Sequence, residues 1–314
     1  MDLDCVVVGE ICVDIPLLTV DRSIPLKDIE YAPIQQIRPS AGGIVPNCGT
    51  IMSRYGLNVS GFAYVGDDHW GQYLTTRCKQ VGLNTDCLYM HPSSATSAAA
   101  IIVGDDGEHT FFYHAGASRQ LDKTCILENL DIFRKTKFAL IGYYGLMPYL
   151  EPDLAEVLEA IQLTGCKTAL DTAGGGGAFE PLDRCLPFLD IYIPSYSEAF
   201  AQTGETDPNS MLLKYREYCP NALLGIKLGS RGALLSTHLG HRLEVPSILP
   251  PDPILDTTGA GDSFYAGLIT GLCRGYDVET ASRLAAASGA CCITGIGPTA
   301  GIRSYPETLK LAKI

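Results

Sequence analysis

The chain has 314 residues, 46% of them apolar, enough to bury one large core and too few for many domains. Its net charge of −12 argues against a nucleic-acid partner, because gripping a phosphate backbone needs clustered cations. Twelve cysteines and six histidines lack the spacing of a disulfide framework or a transition-metal site, so the thiols read as small core hydrophobes.

The acidic start Met1-Asp2-Leu3-Asp4 runs into Cys5-Val6-Val7-Val8, which reads as a buried first strand and not as a signal peptide. No apolar run approaches the roughly 20 residues that span a bilayer. Both features predict a soluble, cytoplasmic protein. Asp14 lies beyond that strand, where a carboxylate can grip neighbouring hydroxyls or simply cap a turn. Gly42-Gly43-Ile44-Val45-Pro46-Asn47 then opens a helical stretch over 47–55, followed by a strand over 59–65, Gly66-Asp67-Asp68, and a helix over 69–81.

Residues 17–38 look extended, and 98–103 and 109–113 read as a hairpin turning at 104–107. Together, within about 15–40 and 95–115, they predict a small β lid that closes over a substrate and excludes water. Edge strands of the main sheet or a dimer contact are the alternatives. Further strands at 138–142, 167–171, 191–194 and 223–228 are interleaved with helices over 152–163 and 197–202. This alternation predicts a single α/β domain over 1–314, with a central, mainly parallel sheet flanked by helices. Ligands of such sheets bind beyond the carboxyl ends of the strands. The run Gly174 to Gly177 fits a phosphate-side loop or a surface turn. The four prolines from Pro246 to Pro253 make a stiff approach to the segment that follows.

That segment, Asp256-Thr257-Thr258-Gly259-Ala260-Gly261-Asp262-Ser263-Phe264, leads into a helix through about Arg274. Small residues let the backbone turn sharply and aim successive N–H groups at one spot, where the positive end of the helix also attracts an anion. Asp262 on the first turn can take a proton from an attacking hydroxyl while those N–H groups hold developing charge. The four residues Gly-Ala-Gly-Asp alone also fit an ordinary loop ending in an N-capping Asp.

Taken with the Gly42-Gly43 segment about 200 residues upstream, and with His114 to Ala117, Pro194 to Glu198 and Lys227 to Gly232, the chain resembles the ribokinase-like, or PfkB, family of carbohydrate kinases. The resemblance implies ATP-dependent phosphorylation of a hydroxymethyl group on a sugar-like substrate, with Mg²⁺ as cofactor. It implies Asp262 as catalytic base with Gly259, Ala260 and Gly261 as its anion hole. It places Asp14, Gly42, Gly43 and Asn47 at the sugar, and Ser195, Lys227, Gly229 and Gly232 at ATP. Glu198 would help to hold Mg²⁺ through water, and Asp256 and Thr258 match positions that lend oxygens to K⁺ in some members. A homodimer through the lid is also in keeping with the family.

Ser195 departs from the asparagine that the family most often carries there. The apolar Ile44-Val45-Pro46 beside the glycines favours an unphosphorylated substrate. Tyr31, Tyr113, Tyr143 and Tyr144 near the predicted cleft keep a nucleoside kinase as an alternative to a sugar or polyol kinase. Arg119 is the one arginine near His114 for an acidic sugar. A catalytically silent sugar-binding regulator would lack Asp262 or its cradle, and both are present. The chain has no Gly-Lys of a Walker A loop and no HRD or DFG segment, and residues 295–301 lack the preceding strand of a dinucleotide loop.

Overall fold

The first strand, β1 (Leu3–Gly9), shows in four residues how the fold is layered. Cys5 and Val7 enter one apolar cluster and Val6 and Val8 another, because side chains of a strand alternate between its faces. All four are fully buried, as befits a parallel sheet covered on both sides. The computed structural model describes residues 2–21, 24–31, 33–104, 109–173 and 177–314.

After β1 come β2 (Cys12–Val20), β3 (Gln36–Ile37), β4 (Ser40–Gly42), β5 (Val59–Gly66), β6 (Asn84–His91), β7 (Ala98–Gly104) and β8 (His109–His114). The later strands are β9 (Thr136–Gly142), β10 (Lys167–Asp171), β11 (Ile191–Tyr192), β12 (Leu223–Lys227), β13 (Ala233–Ser236) and β14 (Leu243–Val245). Among the described residues nine strands form the large sheet, in the order β14-β13-β12-β11-β10-β9-β1-β5-β6. Pairs from β6 to β12 are parallel, whereas β13 and β14 add antiparallel. The expected central, mainly parallel sheet is therefore present, extended by β6, β13 and β14 beyond the strands the sequence pattern marks.

Extended residues 17–38 do not form one element. Strand β2 starts at Cys12, and among the described residues of that stretch Gln36–Ile37 form the strand that pairs back on it, at Leu17 and Leu18. A second sheet results, in the order β3-β2-β7-β8 with β4 also on β2, so these strands are not edges of the main sheet. Asp14 thus sits on a strand of the small sheet and not in a loop after β1. The hairpin pairs Val103 with His109 and Ala98 with His114, while its expected turn at 105–107, like Gly174 to Gly176, lies outside the described residues.

Helix α1 (Ile44–Arg54) starts three residues earlier than its pattern suggests, with Pro46 in its first turn, where no N–H is required. It is followed by α2 (His69–Gln80), and the stretch expected over 152–163 splits into a 3-10 turn (Glu151–Asp153) and a helix (Leu154–Leu163). Helix Tyr196–Thr203 starts with a capping box in which Ser195 and Glu198 bond each other's backbone N–H.

The Ala260–Cys273 helix packs against Val278–Cys292 at close range. A Cβ on Gly267 or Gly271 would come within 2.8 Å of Ala285 and 2.7 Å of Ala281. Small residues on both sides let the backbones approach and fix the helix that carries Asp262. Ten of the twelve free cysteines are buried, and Cys87 and Cys273 are half-buried, in keeping with core filling. No helix among the described residues is long and apolar enough to cross a membrane.

Candidate active site

The register of the parallel sheet brings several strand ends into line. Gly9 pairs with Gly142, and Gly142 with Asp171, so the residues that follow, Glu10, Tyr143 and Thr172, emerge side by side. Ser195 forms a parallel bridge with Lys227, whose N–H donates to Pro194 O at 2.8 Å. Sites of open α/β sheets lie at this carboxyl edge.

Against that edge stands the start of the Ala260–Cys273 helix. Gly259 has φ of 79°, a left-handed turn that glycine adopts without steric cost, and a Cβ there would lie 2.4 Å from Pro298 Cβ. The Ala260 N–H reaches Thr257 O at 3.3 Å. Among the described residues the N–H groups of Gly261 and Asp262 find no acceptor, leaving two donors for an anion.

Asp262 is 3% exposed. Its Oδ2 accepts from Asn47 Nδ2 at 2.7 Å and from Tyr143 Oη at 2.8 Å. Burial, reinforced by the Asp171 carboxylate, pushes its pKa up to about 6 against the opposing pull of the two hydrogen bonds and Lys227. Asn47 Oδ1 is buried without a partner, an acceptor that calls for a donor from a bound molecule.

Lys227 Nζ lies 3.2 Å from Asp171 Oδ1 and 5.0 Å from the centroid of the Tyr265 ring. A Cβ on Gly261 would be 3.2 Å from the same Nζ, so this buried ion pair sits beside the anion cradle. Asp171, Glu198 and Asp262 all favour the charged form of Lys227 and raise its pKa against the effect of burial. Glu198 belongs to this acidic edge, with Oε2 accepting from Ser195 N at 2.6 Å.

Asp14 stands apart from this group, over the other glycine segment. A Cβ on Gly42 would fall 1.9 Å from Asp14 Oδ2, and one on Gly43 2.5 Å from Glu10 O, so both glycines serve close approach. Burial raises Asp14 to about 6, the Cys12 thiol, 3.5 Å from Oδ1, opposes this, and Glu10 adds to it. Glu10, 2% exposed, accepts from Tyr113 Oη and from Ser118 Oγ at 2.9 Å, and faces Arg119 Nε at 3.1 Å.

Two predicted groups lie farther out. Asp256 accepts from Thr258 N and Gly297 N, each at 2.8 Å, and the carbonyls of Thr258 and Pro298 both lie 3.3 Å from Cys292 Sγ. Gly229 and Gly232 turn the chain between β12 and β13. A Cβ on Gly232 would strike Val245 O at 2.0 Å, so the close approach there is by the backbone that begins the proline-rich stretch. No group of three or more His, Cys, Asp or Glu side chains among the described residues is arranged to hold a metal.

The four tyrosines expected near the cleft differ in placement. Tyr144 is buried in the core at 2% exposure and Tyr31 is 85% exposed, while Tyr113 and Tyr143 spend their hydroxyls on Glu10 and Asp262. Glu10 and Asp171 belong to no motif that the sequence marks as a site. Their signal is position, since each stands at the carboxyl end of a parallel strand.

Residues 2–304 match the pfkB family carbohydrate kinases. A ribokinase of Bacillus subtilis (strain 168) is 28% identical over 272 residues, 86% of this chain and 87% of that protein. The structure of Arabidopsis thaliana ribokinase complexed with ribose and ATP has a TM-score of 0.85 at 21% identity and covers 100% of both chains. A putative ribokinase II from E.coli, in complex with ATP and Mg²⁺, has a TM-score of 0.83 at 21% identity and covers 99% of both.

Proposed function

We propose, for a chain that belongs to the pfkB family of carbohydrate kinases and is thereby a phosphotransferase acting on an alcohol group, that it moves the γ-phosphoryl group of ATP to a hydroxymethyl of an unphosphorylated sugar or polyol. The observation that carries this reading is the buried Asp262 carboxylate beside two unpaired N–H groups at the start of its helix. With a pKa of about 6, Asp262 is mostly ionised at neutral pH yet basic enough to accept a hydroxyl proton. The Gly259-Ala260-Gly261 cradle holds the charge that grows on the phosphoryl oxygens.

Asp14 and Asn47 Oδ1 bind the sugar hydroxyls beside Gly42 and Gly43. The small sheet is the lid, and its closure keeps water from competing for the phosphoryl group. Phe111 and Phe112 on β8, 57% and 49% exposed, suit the homodimer contact expected of it.

Ser195, Lys227, Gly229 and Gly232 are the residues that would serve ATP, the nucleotide with which a relative from E.coli is described, together with Mg²⁺. Glu198, on the acidic edge it shares with Asp171, fits Mg²⁺, which keeps waters and leans on substrate phosphates; the ion would offset charge on the transferring group. A K⁺ ion would draw on Asp256 and Thr258, where the Thr258 and Pro298 carbonyls now accept from the Cys292 thiol.

A neutral acceptor is favoured over a phosphorylated or acidic one. Ile44, Val45 and Pro46 are buried in α1, and Arg119 is already committed to Glu10, Tyr113 and Leu146 O. A nucleoside acceptor stands as the alternative, since a hydrogen bond at the Tyr143 hydroxyl does not take its ring face from a base. A coupled ADP-release assay with MgATP and K⁺ against free sugars, polyols and nucleosides, run beside Asp262→Asn, tests the reading. Turnover of one compound that falls by about two to four orders of magnitude in the variant is expected; a fully active variant refutes the role of Asp262.

A further inference from the structure

Tyr143 follows β9 directly and holds an unusual backbone conformation for a residue with a side chain, φ 61° and ψ 37°. Its N–H donates to Asp171 O at 2.9 Å and its carbonyl accepts from Leu146 N at 2.8 Å, so the turn is pinned at both ends. Strained residues of this kind persist where their surroundings over-determine them, often at functional sites. Here the conformation delivers the phenol to Asp262 Oδ2 at 2.8 Å.

Asn47 Nδ2 donates to the same oxygen at 2.7 Å. Among the described residues Oδ1 accepts no hydrogen bond. Burial holds the Tyr143 phenol far above its ordinary pKa, so it serves as a donor throughout the working pH range.

We propose that Tyr143 is a positioning residue for the base: with Asn47 it locks Oδ2 and leaves Oδ1 as the oxygen that takes the proton of the attacking hydroxyl. The inference rests on the proposed role of Asp262. In the step itself the hydroxyl oxygen bonds phosphorus, its O–H bond breaks, the proton passes to Oδ1, and the bond from phosphorus to the ADP oxygen breaks. A carboxylate with one oxygen doubly tied cannot swing its syn lone pair away from the acceptor, which is what positioning contributes.

The groups facing Asp262 are Asn47 and Cys48 from α1, Tyr143, Asp171 from β10, Lys227 from β12 and Cys292 from the Val278–Cys292 helix. Asp171 opposes its ionisation, while Asn47, Tyr143 and Lys227 favour it. Removing the phenol therefore makes Asp262 harder to ionise.

The test is ¹³C NMR of protein labelled at aspartate carboxyl carbons, with the Asp262 resonance assigned by its loss in Asp262→Asn. In Tyr143→Phe the Asp262 titration should move up by about one pH unit, and 3-fluorotyrosine at 143, a stronger donor, should move it down. With D-ribose and MgATP as probe, kcat should fall about tenfold while both KM values stay within about twofold. An Asp262 titration unmoved in Tyr143→Phe overturns the proposal, as does a rise in ribose KM with kcat unchanged, which would make Tyr143 a substrate contact. If D-ribose is not turned over, the titration alone decides. Full activity of Asp262→Asn would instead remove the base assignment, whatever Tyr143 does to the titration.

Discussion

Replacing Lys227 by Met leaves Asp171 as a buried carboxylate with no cation. In the intact protein the pair stands at 3.2 Å with side chains 14% and 6% exposed, and the other charges nearby, Glu198 and Asp262, are also negative. Breaking a buried ion pair from one side costs about 3–5 kcal/mol, because the remaining charge keeps its desolvation penalty. Unfolding entropy of about 2.1 cal/mol/K per residue implies roughly 0.66 kcal/mol/K for a chain of this length, so Tm should drop by about 5–8 °C. The double variant Asp171→Asn/Lys227→Met removes both charges and should recover most of that loss. Circular-dichroism melts of wild type, single and double variants in one buffer at pH 7 measure all three. A Lys227→Met protein that melts within about 1 °C of wild type, or a double variant no better than the single, would refute the argument.

The pH dependence follows from two carboxyls raised to about 6, Asp262 and Asp14. Protonated Asp262 cannot accept the hydroxyl proton, so kcat, which reports the substrate complex, should fall on the acid side with unit slope; a kcat flat down to about pH 5 would contradict this. For the sugar, kcat/KM reports the free enzyme, where both groups titrate, and its acid limb should steepen toward a slope of two. Asn47→Ala should raise the sugar KM more than the ATP KM, and also lower kcat by removing one donor to Asp262; equal rises in both KM values would show that the amide does not touch the sugar. Gly232→Ala places a Cβ 2.0 Å from Val245 O at φ of 86°, so it should destabilise the protein by about 1–3 kcal/mol in urea titration and raise the KM for ATP more than for the sugar.

What the sequence made legible is the part written in local pattern. Cys5 to Val8, the stretch 138–142 and Lys167 to Asp171 are short apolar runs, and they are central strands. Strand β6 carries no apolar run because it is an edge strand, reading Asn-Thr-Asp-Cys-Leu-Tyr-Met-His with only Thr85 buried. The extended pattern over 17–38 misses the first half of β2, which begins at Cys12, only three residues after β1 ends at Gly9, as the chain crosses from one sheet to the other. The motif residues Asp262 and Asn47 announced themselves, but their hydrogen bond spans 215 positions and no local signal carries it. The same holds for the Tyr143 hydroxyl, which is taken by Asp262, and for the Lys227 ammonium, which is paired with Asp171. Long-range pairing decides what such side chains have left to offer a ligand.

The direct passage from β1 into β2 has a bearing on selectivity. Asp14 rides on the small sheet, whereas Asn47 belongs to the helix packed on the large one, so a sugar held by both is tethered at two points on different bodies. Once the first contact forms, the second is intramolecular, and its strength depends on the reach between the two as much as on either hydrogen bond. Loss of a single hydroxyl from the acceptor then costs more than its own bond, since the remaining tether acts alone. Discrimination among sugars that differ by one hydroxyl can therefore be sharp even though each contact, taken singly, is ordinary.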